Sequence, residues 1–335
     1  MLISIGVLAV GLLSVAALIP AGRHEIAQGA RLDYAAMIGR AAFRDLQIRA
    51  FLNPGNAAGT TSWQTVGSPP NDKVWQPAGP TGDAGQPFVI NGVKSLQVAF
   101  AIDPLGLFAI QAAGGTDTKF PYNSTGLYLT RVAPFDVTAS GAREFMDTVF
   151  RSSVDLTTSE NSANRDLPPQ QFWFKDTAAI PNPLRRASAG NYSWLATIVS
   201  DPTTSALNSK VTVSVAVFHK RDLSASDLGE SVVNVSMNPS AGGGIGGGEA
   251  TLLNLSKPVR PGQWIMLAGR RTGPPILDYF RWYRVVAAGA LTGPSQQVTL
   301  SGTDWPGSLA ATTQAFIFDN IVAVYEKNLS LEFKN

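Results

Sequence analysis

The sequence predicts an α+β fold: a long N-terminal helix with a transmembrane half and an amphipathic half, packed on an antiparallel β head. A second, C-terminal all-β module of barrel or sandwich type follows. Three observations lead there. No charged side chain occurs from Met1 to Gly22. A helical pattern then runs without a Gly-Pro or Asn-Gly break as far as Asn53-Pro54-Gly55. Beyond it come short Val-, Thr- and Ser-rich runs, punctuated by turns drawn from 32 glycines and 22 prolines.

Residues 1–52 form the first expected unit. The run MLISIGVLAVGLLSVAALIP holds eleven Leu, Ile or Val residues. About twenty apolar residues at ~1.5 Å each span a bilayer core of ~30 Å. Those eleven favour insertion by roughly 3 to 7 kcal/mol, so residues 1–22 read as a membrane segment that bends at Pro20, where one backbone hydrogen bond is lost. In the amphipathic half Leu32, Ala35, Ala36, Gly39, Phe43, Leu46 and Ala50 recur at the spacing of one helix face. Arg31, Asp33, Arg40, Arg44, Asp45 and Arg49 lie on the other side, with Asp45 and Arg49 spaced to pair. A second apolar set, Ile26, Met37, Ile38 and Ile48, is mixed among those charges.

The second unit, 53–238, is a β-rich head with a loop-rich insertion. Residues 53–90 are punctuated by prolines and glycines, with Trp63 and Trp75 pinning them to a core. Strands are expected over 87–90 and 92–102, then a turn at Asp103-Pro104-Leu105-Gly106. A helix is expected over Ser140–Ser152, with Phe145, Met146 and Val149 inward and Ser140 as its cap. Pro168-Pro169 forbids helix in 164–170. Tyr192–Val199 and Val211–Val217 alternate as strands, and Val211, Val213, Val215 and Val217 share a face for the amphipathic helix. Residues 239–250, with Gly242–Gly248 inside, read as a flexible linker. The module 251–335 carries strands over 250–255, 264–269, 280–287, 297–301 and 315–326, with 329–333 closing the chain.

The stretch LISIGVLAVGLLSVAALIPAG, leading into an amphipathic helix and a β-rich remainder, resembles the type IV pilin and type II secretion pseudopilin family. Tyr192–Val217 with Phe218-His219-Lys220-Arg221-Asp222 is similar to the head hairpin of pilin-like proteins of planctomycete-type bacteria; Asp103–Gly106 and Arg165–Gln170 fit the same group. The resemblance implies a non-enzymatic minor pilin or pseudopilin, assembling through its helix with other subunits and with pilus or secretion machinery. Leu8, Leu12, Leu13, Leu18 and Pro20 are then the membrane and filament packing residues, with Gly6 and Gly11 allowing close approach. The family's basic leader, cleavage glycine and early Glu do not precede Leu2. A start truncated just after that Glu is therefore expected, and peptidase processing and N-methylation stay open. Positive-inside reasoning from Arg23, Arg31 and Arg40 puts the C-terminal part in the cytoplasm. The family places it outside the cytoplasmic membrane or on a filament, and that orientation is adopted.

Other readings compete. Ser14-Val15-Ala16 has the form of a signal-peptide cleavage site, although no basic n-region precedes it. An ordinary single-pass anchor would leave the C-terminal module to bind glycan or protein partners. In that module Asp278–Arg284 places Tyr279, Arg281 and Tyr283 on one side of a strand and Phe280, Trp282 and Arg284 on the other; the first three are a candidate partner surface. Trp264 and Trp305 read as core.

Several chemistries are disfavoured. A net charge of +2 with 15% charged residues, dispersed along the chain, implies no nucleic-acid surface. Absence of cysteine excludes disulfides and Cys-ligated metals. Gly242–Gly248 lacks the Gly-Lys-Ser/Thr ending of a phosphate loop. His24 and His219, the two histidines, have no partners at metal or triad spacing. No catalytic residue, cofactor or metal is expected. A carboxylate pair meeting in space stays possible among 24 acids.

Overall fold

The computed structural model describes residues 2–52, 99–151, 191–200, 210–224, 228–237, 248–271 and 277–330, with short strand segments between 75 and 186. Helix α1 (Leu2–Ile48) is followed by β1 (Ala99–Ile102), α2 (Pro104–Ala112), β2 (Lys119–Phe120), β3 (Leu129–Val132) and α3 (Ala142–Val149). Next come β4 (Tyr192–Ser200), β5 (Lys210–His219), β6 (Glu230–Met237), β7 (Glu249–Leu253) and β8 (Trp264–Arg271). The chain ends with β9 (Leu277–Ala288), β10 (Gln296–Ser301), a 3-10 turn (Gly307–Thr312), β11 (Gln314–Phe318) and β12 (Ile321–Ser330). Apart from short strand segments, the expected loops over 53–90 and 164–170 lie outside the described residues, as do glycines 242–247.

The expected α+β class is corrected. The chain is mainly β, built on a six-stranded sheet in the order β12-β5-β4-β1-β3-β2 and a closed six-stranded barrel, β6-β7-β10-β9-β8-β11. The sheet is mixed instead of antiparallel, because β1 and β3 pair in parallel with α2 between them in the chain, and parallel neighbours require a crossover. Among the described residues no helix is long and apolar enough to cross a membrane, which overturns the transmembrane half; this says nothing of strands.

Asp103-Pro104 does not make the expected turn. It opens α2: the Asp103 carboxylate accepts from the Gly106 amide at 3.1 Å, and Pro104 sits where a helix needs no N–H. At α3 the helix begins at Ala142, after Gly141 at φ 82° instead of a capping serine.

Strand alternation assigns each face of the sheet to one neighbour. Val211, Val213, Val215 and Val217 of β5, with Trp194, Ala196 and Ile198 of β4, share a core with Ala35, Ile38, Ala42 and Leu46 of α1. Burying Leu46 and Ile38 stabilises that contact by roughly 1.5–3 kcal/mol each. The opposite-facing Leu195, Val199, Ala216 and Phe218 pack with Met266, Phe280, Trp282, Phe316 and Phe318 of the barrel. A third core fills the barrel itself, around Leu252, Ile265, Leu267, Tyr283, Val285 and Leu309.

The barrel is spliced into the sheet. β5 and β12 are antiparallel neighbours, from Lys210 opposite Ser330 to Phe218 opposite Ile321, and every barrel strand lies between them in the chain. β6 precedes the glycine-rich run and pairs directly with β7 after it, so the run joins two strands of one barrel. The single strand expected over 315–326 breaks at Asp319-Asn320, where Asn320 takes φ 66°. Its first part closes the barrel and its second part returns to the sheet.

Candidate functional site

Helix α1 is the element with most surface left over. From Gly22 to Tyr34 every side chain the structure describes is exposed, and among the described side chains packing starts at Ala35. Ala35, Ile38, Gly39, Ala42 and Leu46 form the buried stripe. At Gly39 the helix meets the Tyr325 ring so closely that a Cβ would overlap it. Directly opposite that stripe stand Ile26, Met37 and Ile48, 73%, 53% and 74% exposed. They are spaced at eleven residues, about three helical turns, and so line up along the rod. Leu32, expected on the packed face, is exposed, and Ile38, expected among the charges, is buried. Asp45 and Arg49 pair at 3.2 Å, with the Arg49 guanidinium 5.3 Å from the Phe145 ring centroid.

A second concentration of chemistry lies between sheet and barrel. Asp103 follows β1 and caps α2, Arg131 sits in β3, Arg221 follows β5, and Glu230 opens β6. Their side chains are 0–2% exposed. Arg131 bonds Asp103 through Nη1 and Glu230 through Nη2, the latter at 2.6 Å. Arg221 grips both Asp103 oxygens at 2.7 Å and reaches Glu230 Oε1 at 3.2 Å. The Tyr122 amide donates to Glu230 Oε2 at 2.8 Å. The guanidiniums lie over Phe120 and Phe218 at 5.0 and 4.8 Å. Burial pushes the Asp103 carboxyl up, but the charges of Arg221 and Arg131 outweigh it and hold the group well below the usual range. At Glu230 burial wins over the same arginines and the carboxyl is raised. Two cations balance two anions, and Glu230 also lines the cleft of about 420 Å³ that Lys257 and Arg260 border. The quartet fastens the barrel to the sheet. Sequence held a partial signal for it: an Asp-Pro helix start, and one arginine inside the apolar strand Leu129-Thr130-Arg131-Val132.

The structure separates the residues singled out from sequence. Leu8, Leu12, Leu13, Leu18 and Pro20 all fall within α1, but their side chains lie outside the described residues. Tyr283 is 4% exposed in the barrel core, its hydroxyl donating to the Thr303 carbonyl at 2.6 Å. Tyr279 packs against that same core, and Arg281 is partly exposed, donating to Thr303 Oγ1 at 2.9 Å. Phe280 and Trp282 face the sheet, where Trp282 Nε1 donates to Thr197 Oγ1 at 3.0 Å. A closed barrel makes the interior a second core, so both faces of this strand have apolar neighbours.

The His219 ring lies tilted beside Tyr192, 4.9 Å between centroids. Among the described residues no group of three or more His, Cys, Asp or Glu side chains is placed to hold a metal. One end of the barrel bears a cleft of about 240 Å³ with Glu249, Asp304 and Trp305 in its wall; the other bears one of about 420 Å³ bordered by Lys257, Arg260 and Asp319. No protein-family model, curated protein or solved structure matches the chain.

Proposed function

We propose that the chain is a non-enzymatic, pilin-like subunit of a type IV pilus or type II secretion-type filament. It associates with the cytoplasmic membrane through its apolar N-terminal stretch, carries its β part on the outer side, and assembles through the helix. One observation supports this reading above the others. In a single helix of 47 residues, the described side chains that pack on the fold form the stripe from Ala35 to Leu46, and Ile26, Met37 and Ile48 stand exposed in a row on the opposite side. A helix needed only to cover the sheet would end near Ala35. Its partners are neighbouring copies or related subunits, the assembly machinery and lipid, and not nucleic acid.

The chain has no cysteine, so Ile26→Cys and Met37→Cys introduce unique cross-linking sites. Oxidation of either variant in membranes should give disulfide-linked dimers, and paired variants a ladder. Monomer alone at both sites, under conditions where the thiols react with maleimide, would count decisively against helix-mediated assembly. Leu12→Arg or Leu13→Arg should abolish membrane retention, and continued retention would remove the N-terminal stretch from the account.

A further inference from the structure

We propose that the β9–β10 hairpin is a second, weaker membrane contact, docking on an anionic bilayer surface. The proposal rests on the membrane association of the N-terminal stretch just put forward. Between Arg284 and Asp304 the chain has no charged residue. Within that run Val286 and Leu291 are 58% and 41% exposed. Ala287, Gly289, Ala290 and the turn Thr292-Gly293-Pro294 are exposed as well. Outside α1, the described exposed large hydrophobics are these two and Tyr128.

The hairpin is held firmly. Thr292 and Ser295 exchange two backbone hydrogen bonds, at 2.8 and 3.1 Å, across Gly293 at φ 59°. Gln296, buried, accepts from the Val259 amide and donates to the carbonyls of Val259 and Gly289 at 2.8–3.0 Å. An apolar tip is thus kept in water by a rigid base, a costly arrangement unless the tip is covered in use.

Its place on the molecule says by what. Tyr34, near the start of the packed part of α1, lies 5.9 Å from Tyr192, which pairs with His219. The His219 amide bonds the Asn320 carbonyl at 2.9 Å, and Asn320 borders the same cleft as Lys257 and Arg260. That cleft's wall is tied to the hairpin by Gly262 N to Val285 O and Leu255 N to Pro294 O, at 2.7 and 2.9 Å. The tip therefore projects from the end of the sheet and barrel toward which the apolar stretch of α1 also runs.

Arg284, Arg260 and Lys257 flank it, all exposed; Lys257 shares its charge with Asp319 at 3.3 Å. Apolar tip and basic collar match an anionic headgroup layer. A protein interface would call for aromatic or arginine anchors at its centre, and the tip has none. A few aliphatic side chains bind a bilayer weakly alone, but a chain already tethered there presents them at high local concentration.

The test uses the full chain with one cysteine at a time, Val286→Cys, Leu291→Cys, Arg271→Cys at the far end of the barrel, or Val15→Cys, each carrying a polarity-sensitive fluorophore. Vesicles of phosphatidylcholine are compared with vesicles that also contain phosphatidylglycerol. Emission at 286 and 291 should shift to the blue in the anionic vesicles, with position 271 unchanged. Unshifted hairpin probes beside a shifted Val15→Cys probe overturn the hairpin contact alone; all probes unshifted overturn the membrane association as well. A shift that grows with protein concentration without vesicles assigns the tip to a second copy and overturns the lipid proposal.

Discussion

Glu230 receives three donors from three different segments, and that count sets the cost of removing it. Truncating one partner of a buried charge network leaves the others unpaired, at about 3–5 kcal/mol. Glu230→Ala and Arg131→Ala should each lower unfolding stability by that amount, read from urea midpoints. A loss near that of an exposed pair such as Lys257–Asp319 would mean the quartet is well hydrated. Gly106 belongs to the same site, since a Cβ there would meet Arg131 and the Asp103 carboxylate. The pH dependence follows from the direction at Asp103. Its folded-state pKa lies below the ordinary 3.8, so the contribution is full above the unfolded value and is lost as pH falls through the folded one. Glu230, raised above 4.5, acts in the opposite sense: its contribution is greatest below the unfolded value and fades as pH rises through the folded one. Acid unfolding below about pH 4 should therefore be shallower in Asp103→Asn than in the native chain, and equal slopes would exclude Asp103 as a cause.

Between elements, the contact of α1 with the sheet depends on small residues. Ala35, Gly39 and Ala42 let the helix approach β12 and β5, and Gly39 faces the half-buried Tyr325 ring. Gly39→Val should cost roughly 1–3 kcal/mol through overpacking, with protease cleavage appearing within 35–48 as the helix lifts. Unchanged stability would show that the Tyr325 ring yields freely. Helical spacing in the sequence places Ala35, Gly39 and Leu46 together. It misplaces Ile38 and Leu32 because hydrophobicity alone does not say which way a two-sided helix turns. The sheet decides that, by presenting its valines to one side.

Across the whole molecule, sheet and barrel share a core of residues from both, the ionic quartet, and the Trp282–Thr197 and Leu127–Gln314 hydrogen bonds. Calorimetry of the chain should therefore show one unfolding transition for both. Two well-separated transitions would mean that the barrel folds independently. A fragment 186–335 keeps every barrel strand but loses β1, β3 and α1, and so exposes the helix-facing side of β4 and β5 and the paired edge of β4; it should fail to fold as a monomer. The sequence by itself determined the helix, most strand positions and the lack of cysteine, because periodicity and turn chemistry are local. Only the tertiary structure decided the rest: that Asp103-Pro104 starts a helix, that Asp319-Asn320 splits a strand between two sheets, that the barrel sits between β5 and β12, and that four distant charges meet. The helix start is capped locally, by Asp103 on the Gly106 amide, but the others depend on pairing between residues about a hundred apart, from Asp103 with Arg221 to Phe218 with Ile321. Such pairing is settled by which surfaces can be buried together, and no window along the chain contains that information.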